Sequence, residues 1–186
     1  MGINSERRRA VFLDRDGVIN RALVRDGKPY PPAGVDELEA LPGVAAALQR
    51  LKLAGYLLIV VTNQPDVARG TQSRAAVEAI HAQLASILPI DEFRTCYHDD
   101  DDACACRKPK PGLILDAARA HDVDLHASVM VGDRWRDIEA GRRAGCVTVF
   151  VDWAYQERQP EQPDVAVSSL REAVDWILSR SPGRNS

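Results

Sequence analysis

Residues 10–20 read AVFLDRDGVIN, an apolar run that ends in two carboxylates and a glycine. The segment AVFLD (10–14) predicts a buried strand, since a short apolar run bounded by turn residues is typical of a strand covered on both faces. Asp14, Asp16 and Gly17 then form the turn after that strand. Such a turn alone is most often structural, so its meaning depends on the residues that come after the other strands.

The rest of the chain alternates short apolar runs with longer segments of helical periodicity. Strands that alternate with helices in this way predict a parallel sheet with helices on both faces. The predicted fold class is therefore α/β, a three-layer Rossmann-like sandwich with a mainly parallel central sheet. Further strands are predicted at 56–62, 93–98, 128–133, 147–151 and 164–167, and helices at 43–53, 73–88, 111–121, 137–145 and 169–178.

The predicted elements leave no insertion large enough for a second domain. A chain of 186 residues also favours one domain of ordinary size. We expect residues 1–180 to form this domain, with a cysteine-rich loop at 96–106 inserted into it. We expect residues 181–186 to be a disordered tail.

Composition and charge disfavour several classes of protein. Hydrophobic residues make up 45% of the chain and charged residues 27%, which is an ordinary globular balance. The net charge of −3 disfavours a nucleic-acid binder, which is usually basic. The longest apolar run, LLIVV (57–61), is far shorter than a membrane span, and the N-terminal apolar run is too short for a signal peptide. We therefore expect a cytoplasmic monomer with no nucleic-acid or membrane partner.

Polar residues follow four of the predicted strands. In an open α/β sheet, ligands bind beyond the carboxyl ends of the strands, where these residues would meet. Taken singly, each of them has an ordinary structural explanation. Together they comprise carboxylates, a hydroxyl, an amide and cationic groups, in the residues Asp14, Asp16, Thr62, Asn63, Arg107, Lys108, Asp133 and Asp137.

This set matches the needs of phosphoryl transfer through an aspartate. One carboxylate attacks phosphorus, and a second acid protonates the leaving oxygen and later activates water. A hard cation such as Mg²⁺ neutralises the repulsion between carboxylate and phosphate, and it prefers oxygen ligands. A hydroxyl or amide donor and a lysine hold the phosphoryl oxygens. One candidate for each part is present in Asp14, Asp16, Asp133, Thr62 and Lys108.

Four segments resemble the four motifs of phosphatases in the haloacid dehalogenase superfamily. They are DRDGVIN, VVTNQ, RKPKPG and MVGDRWRD, and the resemblance runs from about Val11 to Phe150. It implies that Asp14 is the nucleophile and that Asp16 is the general acid and base. It also implies a fold of the haloacid dehalogenase type, without a large cap domain because the chain has no room for one.

The resemblance also implies binding roles for the remaining motif residues. Mg²⁺ is the implied catalytic cofactor, held by two side chains and one backbone carbonyl. Asp137 matches a further acid of the fourth motif and is implied to lie behind the metal ligands. The implied ligands of Mg²⁺ are Asp14, Asp133 and the carbonyl of Asp16, and the implied phosphoryl contacts are Thr62, Asn63 and Lys108.

A second cluster lies in residues 96–112, which read CYHDDDDACACRKPKPG. Three thiolates and one imidazole make a closed tetrahedral shell for Zn²⁺, which is typical of a structural site. In a reducing compartment, clustered cysteines bind metal more often than they form disulfides. From the residues alone, a reduced and metal-free loop is the alternative. The predicted ligands are Cys96, His98, Cys104 and Cys106, whereas Cys146 lies outside the loop and is expected to be a buried thiol.

Within the superfamily, a C-x-H…C-x-C loop before RKP resembles that of a branch that hydrolyses heptose 1,7-bisphosphate or histidinol phosphate. The segments VARG (67–70) and KPKPG favour the heptose group, so a small phosphorylated sugar is the implied substrate. Arg69 and Arg107 are then the expected contacts of a second phosphate or of the sugar hydroxyls. Histidinol phosphate or another small phosphorylated metabolite is the alternative. Pro65 and Asp66 depart from the usual pattern, which has Ser-Gly after TNQ.

Two segments leave the substrate open. The run Asp99–Asp102 is either a solvated loop tip or a feature that favours a cationic substrate. Residues 21–34 form either a plain surface loop or a flap over the site, with Lys28 and Tyr30 as candidate contacts. A zinc-stabilised phosphate-binding regulatory domain without turnover is a further alternative, disfavoured because every catalytic position is filled.

Overall fold

The computed structural model describes residues 7–180, which form a six-stranded parallel sheet with helices on both faces and a separate two-stranded hairpin. The strands are β1 (Ala10–Leu13), β2 (Leu23–Arg25), β3 (Lys28–Tyr30), β4 (Leu57–Asn63), β5 (Glu92–Cys96), β6 (Val129–Gly132), β7 (Val147–Val151) and β8 (Val165–Val167). The helices are α1 (Val44–Leu53), α2 (Arg74–Ile87), α3 (Gly112–His121), α4 (Trp135–Ala144) and α5 (Leu170–Arg180), with a 3₁₀ turn at Val35–Glu37. The strand order in the main sheet is β5-β4-β1-β6-β7-β8.

The first strand, β1, lies in the interior of the sheet because it is apolar on both faces. All four of its residues are fully buried. Val11 pairs in parallel with Leu58 of β4 on one side and with Val129 of β6 on the other. Since side chains alternate between the faces of a strand, Val11 packs in one helical layer and Phe12 in the opposite layer. Asp14 therefore leaves β1 at the carboxyl edge, between two neighbouring strands.

Two hydrophobic cores flank the sheet. One core packs α1, α2 and α5 against one face, and the other packs α3 and α4 against the opposite face. The helix α2 begins where the Ser73 hydroxyl accepts a hydrogen bond from the Ala76 N–H at 3.1 Å, which is the expected role of an N-cap serine. The predicted α/β class, with a three-layer sandwich and a parallel sheet, is confirmed.

Two local elements differ from the sequence prediction. The hairpin of β2 and β3 falls in a segment with no predicted strand, because each strand has three residues and shows no usable alternation. Asp26 and Gly27 form its turn with φ of 49° and 72°, and an Asp-Gly pair is the sequence signal for such a turn. The helix α4 starts two residues earlier than predicted, where the Asp137 carboxylate accepts a hydrogen bond from the Arg134 N–H at 3.0 Å.

Some expectations about the whole chain are not decided by the fold. The single-domain boundary at residues 1–180 stays a prediction, and the predicted tail at 181–186 lies outside the described residues. Within residues 7–180, no helix has the length and apolar character needed to cross a membrane.

Gly141 lies where α4 crosses β6 and β7, and the space around it admits no side chain. An added Cβ atom would lie 2.6 Å from Cβ of Met130 and 2.9 Å from the methyl group of Thr148. We expect Gly141→Ala to lower the free energy of unfolding by about 1–3 kcal/mol, because overpacking outweighs the better helix propensity of alanine. Urea unfolding measures the change. The matched control is Gly34→Ala, since nothing lies within 4 Å of its Cβ position, and an equal loss in both variants would contradict the packing argument.

Candidate active site

The predicted motif residues meet at the carboxyl ends of β1, β4 and β6. They line one open cleft with a volume of about 240 Å³. The two loops that follow β1 and β5 complete its walls, and the β2–β3 hairpin borders it. The predicted site residues that line the cleft are Asp14, Asp16, Lys28, Tyr30, Thr62, Asn63, Arg69, Arg107, Lys108, Asp133 and Asp137.

Lys108 is the centre of the charge network in this cleft. Its ammonium group lies 2.7 Å from Oδ1 of Asp14 and 2.6 Å from Oδ1 of Asp137. It donates a third hydrogen bond to the carbonyl of Val61 at 2.7 Å. Burial disfavours the charged ammonium, but Asp137 and Asp14 outweigh burial and raise the pKa of Lys108. A fixed positive charge therefore lies beside the proposed nucleophile.

Asn63 holds the backbone of Lys108 in place. Its side-chain amide donates to the Lys108 carbonyl at 3.0 Å, and its side-chain oxygen accepts from the Lys108 N–H at 3.1 Å. These two hydrogen bonds join the end of β4 to the loop after β5. The Asn63 side chain thus positions the lysine, and its predicted contact with phosphate stays a prediction.

Thr62 is buried at the end of β4 with its hydroxyl directed to a polar neighbour. The hydroxyl oxygen accepts a hydrogen bond from the Gln64 side chain at 2.9 Å, and the same amide group donates to Asp16 at 2.9 Å. A hydroxyl donates as well as accepts, so Thr62 retains a hydrogen that it can donate, and its predicted contact with phosphate stays a prediction.

Asp14, Asp133 and Asp137 form a carboxylate cluster whose chemistry suits a hard cation. One oxygen from each lies within 4.8 Å of the others. Both oxygens of Asp133 are buried, and neither accepts a hydrogen bond of good geometry within residues 7–180. The Tyr155 hydroxyl lies near this carboxylate and acts to lower its pKa. Three buried carboxylates with so few hydrogen-bond donors around Asp133 are costly without a cation, so these residues fit a Mg²⁺ ion.

Burial and mutual repulsion shift the acidity of this cluster. Burial raises the pKa of Asp14 to about 6, and Asp137 adds to the shift while Lys108 opposes it. Burial and the Asp14 charge raise the pKa of Asp133 well above its ordinary range. A divalent cation would lower both pKa values because it favours the charged forms. The unfavourable electrostatics of the cluster therefore favour metal binding.

Gly17 allows the chain to pass close to Asp133. A Cβ atom at this position would overlap Oδ2 of Asp133, so no larger residue fits without moving the carboxylate. The φ angle of Gly17 is 84°, which glycine adopts without strain. The glycine of the first motif is thus required by the acid of the fourth motif.

Asp16 lies in a different environment from the cluster. Arg15 donates to both of its oxygens at 3.0–3.2 Å, and Asn20 donates to one of them at 2.9 Å. Burial raises the pKa of Asp16, but Arg15 and Asn20 outweigh burial and lower it overall. Arg15 is fully buried, and its Nη1 lies 3.1 Å from Nε2 of His81. Burial lowers the pKa of His81 to about 4, so the neutral imidazole accepts this hydrogen bond.

The four predicted zinc ligands converge on one point. The Sγ atom of Cys96 lies 3.2 Å from that of Cys106, 3.9 Å from that of Cys104 and 3.5 Å from Nδ1 of His98. A tetrahedral shell with Zn–S of about 2.3 Å and Zn–N of about 2.0 Å separates its ligands by roughly 3.5–3.8 Å. The cluster therefore fits a zinc ion, and the cysteines form no disulfide. Cys146 is buried outside the cluster, as predicted, and burial raises its pKa to about 12.

An arginine rim borders the cleft beyond the carboxylates. The Nε atom of Arg107 and the Nη1 atom of Arg136 both donate to Oδ1 of Asp100 at 2.9 Å. Arg69 forms a two-point ion pair with Asp99, with distances of 2.8 and 2.5 Å. Two of the four consecutive aspartates are therefore paired with arginines, and they do not form a free acidic loop tip.

Comparison with known proteins agrees with this geometry. Residues 27–145 match the family model described as haloacid dehalogenase-like hydrolase. The chain belongs to this family. The predicted membership, and with it the phosphatase class of hydrolase, is confirmed.

Several heptose bisphosphate phosphatases are similar over most of their length. The crystal structure of D,D-heptose 1,7-bisphosphate phosphatase from Bordetella bronchiseptica, complexed with magnesium and phosphate, has a TM-score of 0.78 and 36% identity, and the match covers 93% of this chain and 99% of that chain. The D-glycero-beta-D-manno-heptose-1,7-bisphosphate 7-phosphatase of that organism is 41% identical over 76% of this chain and 79% of its own. The corresponding alpha-heptose enzyme of Mycobacterium bovis is 40% identical over 77% of this chain and 80% of its own.

Several residues of the site escape prediction from the sequence. Arg15 and Gln64 lie inside the first and second motifs, but only the structure shows that both donate to Asp16. Arg136 lies inside the fourth motif and shares Asp100 with Arg107. Their positions within motifs are a usable signal, whereas their partners depend on side-chain directions that no spacing encodes.

We expect Asn63→Ala to lower the rate of phosphate release, because Lys108 loses both side-chain hydrogen bonds to its backbone. The same loss should lower the free energy of unfolding by about 1–3 kcal/mol. Steady-state kinetics and urea unfolding measure the two effects. Thr71→Ala, an exposed change in the same connection after β4, should behave like the wild type. A wild-type kcat in Asn63→Ala would show that other contacts suffice to hold Lys108.

Proposed function

We propose that this protein is a magnesium-dependent phosphomonoesterase that releases the 7-phosphate of D-glycero-D-manno-heptose 1,7-bisphosphate. The observation that carries the proposal is the arrangement of the cleft. Lys108 lies between Asp14 and Asp137 beside the buried carboxylate of Asp133, and the arginine rim lies in the same cleft. Relatives at 40–41% identity that carry the name of this activity support the choice of substrate.

The reaction follows from the positions of the carboxylates. A free oxygen of Asp14 attacks phosphorus and forms an aspartyl-phosphate, while Asp16 gives a proton to the leaving sugar oxygen. Asp16 then takes a proton from the water that attacks the aspartyl-phosphate, which returns Asp14 to its carboxylate. Lys108 and Thr62 hold the phosphoryl oxygens throughout. Bound Mg²⁺ supplies charge neutralisation that lets the Asp14 carboxylate approach the phosphate.

The environment of Asp16 suits both halves of this cycle. The hydrogen bonds from Arg15 and Asn20 favour the carboxylate, which is the form that activates water. Bound substrate would exclude water from Asp16 and oppose that effect, which favours the protonated form needed in the first half. Arg15 holds the side chain in place, so Asp16 is available for both proton transfers.

The ligands proposed for Mg²⁺ are Asp14, Asp133 and the backbone carbonyl of Asp16. Both side-chain oxygens of Asp137 are already in use, one by Lys108 and one by the Arg134 N–H. Asp137 therefore orients the lysine and lies behind the metal. The cluster Cys96, His98, Cys104 and Cys106 is proposed to bind a structural Zn²⁺, because its four ligands leave no open position for water.

The arginine pairs of Asp99 and Asp100 weaken the argument for a cationic substrate such as histidinol phosphate. Asp99 and Asp100 are occupied by Arg69, Arg107 and Arg136, so they offer no free acidic surface. Arg107 and Arg136 instead provide donors suited to a second phosphate. The monomeric state and the cytoplasmic location stay predictions.

We expect Asp14→Asn to abolish phosphate release, because an amide does not attack phosphorus. The assay measures phosphate from heptose 1,7-bisphosphate of both anomers, histidinol phosphate, fructose 1,6-bisphosphate and an aryl phosphate in the presence of Mg²⁺. Asp175→Asn is the matched control, since this exposed aspartate pairs with Arg50 and does not line the cleft. The highest kcat/KM should be that of the heptose bisphosphate, and a preference for histidinol phosphate would refute the proposed substrate.

We expect Cys106→Ser to lose bound zinc and most activity while Mg²⁺ is in excess, since Arg107 and Lys108 follow directly in the chain. Metal analysis of the purified protein and steady-state kinetics measure the two effects. Cys146→Ala removes a thiol outside the cluster and should keep one zinc per chain. Full activity of zinc-free Cys106→Ser would show that the loop positions Lys108 without metal.

A further inference from the structure

Asp100 is a residue of the cleft for which the proposed reaction has no role. It lies in the loop between the cluster ligands His98 and Cys104, and it lines the same cleft as Asp14. A carboxylate beside a site for a doubly phosphorylated substrate repels that substrate. A carboxylate at this position therefore needs an explanation that concerns the substrate, and solubility alone does not provide one.

The surroundings of Asp100 are those of a bound anion. Its Oδ1 accepts hydrogen bonds from Nε of Arg107 and Nη1 of Arg136, both at 2.9 Å, and its Oδ2 lies 3.6 Å from Nη2 of Arg69. Guanidinium groups bind carboxylate and phosphate oxygens with the same donor geometry. The Nε atom of Arg136 is buried and has no hydrogen-bond acceptor in the described part of the chain, so a donor remains for a larger anion.

The Asp100 side chain contacts only arginines in the described residues, whereas the Asp99 and Asp102 side chains bind the loop backbone. Asp99 makes a two-point pair with Arg69 and also accepts a hydrogen bond from the Asp100 N–H at 2.7 Å. Asp102 accepts a hydrogen bond from the Asp99 N–H at 2.8 Å. These contacts fix the loop backbone, whereas the Asp100 side chain is 53% exposed and rotates into solvent without breaking them. Arg107 and Arg136 are mostly buried and stay in place when the carboxylate leaves, so a phosphate dianion, which carries more charge than a carboxylate, competes for the same two arginines.

We propose that Asp100 is a specificity-determining residue: its carboxylate occupies Arg107 and Arg136 until the second phosphate of the substrate displaces it. This inference rests on the proposed function, because it requires a substrate with two phosphates. A monophosphate leaves the Asp100 pairs intact and gains nothing from the two arginines. A ligand whose distal group carries a single charge replaces the Asp100 carboxylate on the two arginines with another singly charged anion, so it gains no binding energy from the exchange. Only a doubly charged distal group gains from the exchange, so Asp100 distinguishes a substrate with a distal phosphate from one whose distal group carries a single charge.

The test compares Asp100→Asn with Asp101→Asn. Asparagine keeps the shape of the side chain and removes its charge. Asp101 is the next residue of the same loop, and within residues 7–180 it forms no ion pair or hydrogen bond, so its variant controls for the general field of the loop. We expect Asp100→Asn to lower KM for heptose 1,7-bisphosphate about three- to tenfold with kcat unchanged. KM for an aryl monophosphate should not change, and Asp101→Asn should match the wild type on both substrates.

A second variant and a binding measurement test whether a local rearrangement of the loop, and not the loss of the Asp100 charge, explains the change in KM. Asp100→Ala removes the hydrogen-bond acceptor as well as the charge, and its KM for the bisphosphate should fall at least as far. Calorimetric titration of the bisphosphate into Asp14→Asn, with and without Asp100→Asn, should show the same gain in affinity without turnover. Thermal unfolding of each variant verifies that it is folded.

Two results would overturn the role of Asp100. An unchanged or raised KM for the bisphosphate in Asp100→Asn would mean that the carboxylate does not compete for the arginines. An equal fall in KM in Asp101→Asn would mean that only the overall charge of the loop matters. Both results leave the proposed function standing if the wild type hydrolyses the heptose bisphosphate. Release of phosphate from the aryl ester but not from the bisphosphate by the wild type would instead refute the proposed function, and this inference with it.

Discussion

The contact of the Lys108 ammonium with two carboxylates is the interaction on which the rest of the site depends. Asp14, Asp133 and Asp137 converge in a space from which water is largely excluded, and such a cluster is unstable unless positive charge enters it. Lys108 supplies part of that charge. It also joins Asp14, the Val61 carbonyl of β4 and Asp137 of α4 through a single group. The geometry of three structural elements is therefore set by the position of one nitrogen atom.

Two separate sets of contacts hold the backbone that carries this nitrogen atom. Asn63 binds the backbone of Lys108 from the end of β4. The cysteine cluster approaches from the other side, since Cys106 is separated from Lys108 by Arg107 alone. A long flexible side chain loses considerable entropy when it is ordered, and a backbone held on both sides reduces the number of arrangements available to it. The two proposed metal sites are thus linked, because the proposed zinc site supports the lysine of the proposed magnesium site.

Much of this arrangement is readable in the sequence, and the part that is not has a clear physical origin. The strand β1 and its carboxyl-terminal aspartates are evident from a short apolar run, and the parallel topology places residues after β1, β4 and β6 at one edge. The pairing of Asp100 with Arg107 and Arg136 depends on the path of an irregular loop, which no periodicity describes. The β2–β3 hairpin is too short for a pattern, although its Asp-Gly turn is visible in the letters. The sequence therefore identifies which chemical groups lie at the carboxyl edge of the sheet. Which of these groups are already paired with another side chain depends on the folded chain.

The interior position of β1 has a consequence for how the protein is made. β1 leaves the ribosome well before its neighbour β6, so Val11 cannot pair with Val129 until β6 has been synthesised. Pairings between distant parts of a chain form slowly, and an unpaired apolar strand edge is prone to aggregation in the meantime. Asp133 and Asp137 follow β6, so they join Asp14 only after β6 has been synthesised. A nascent chain that stops before β6 carries Asp14 on an incomplete sheet, which makes such a fragment a natural target for chaperones and proteases.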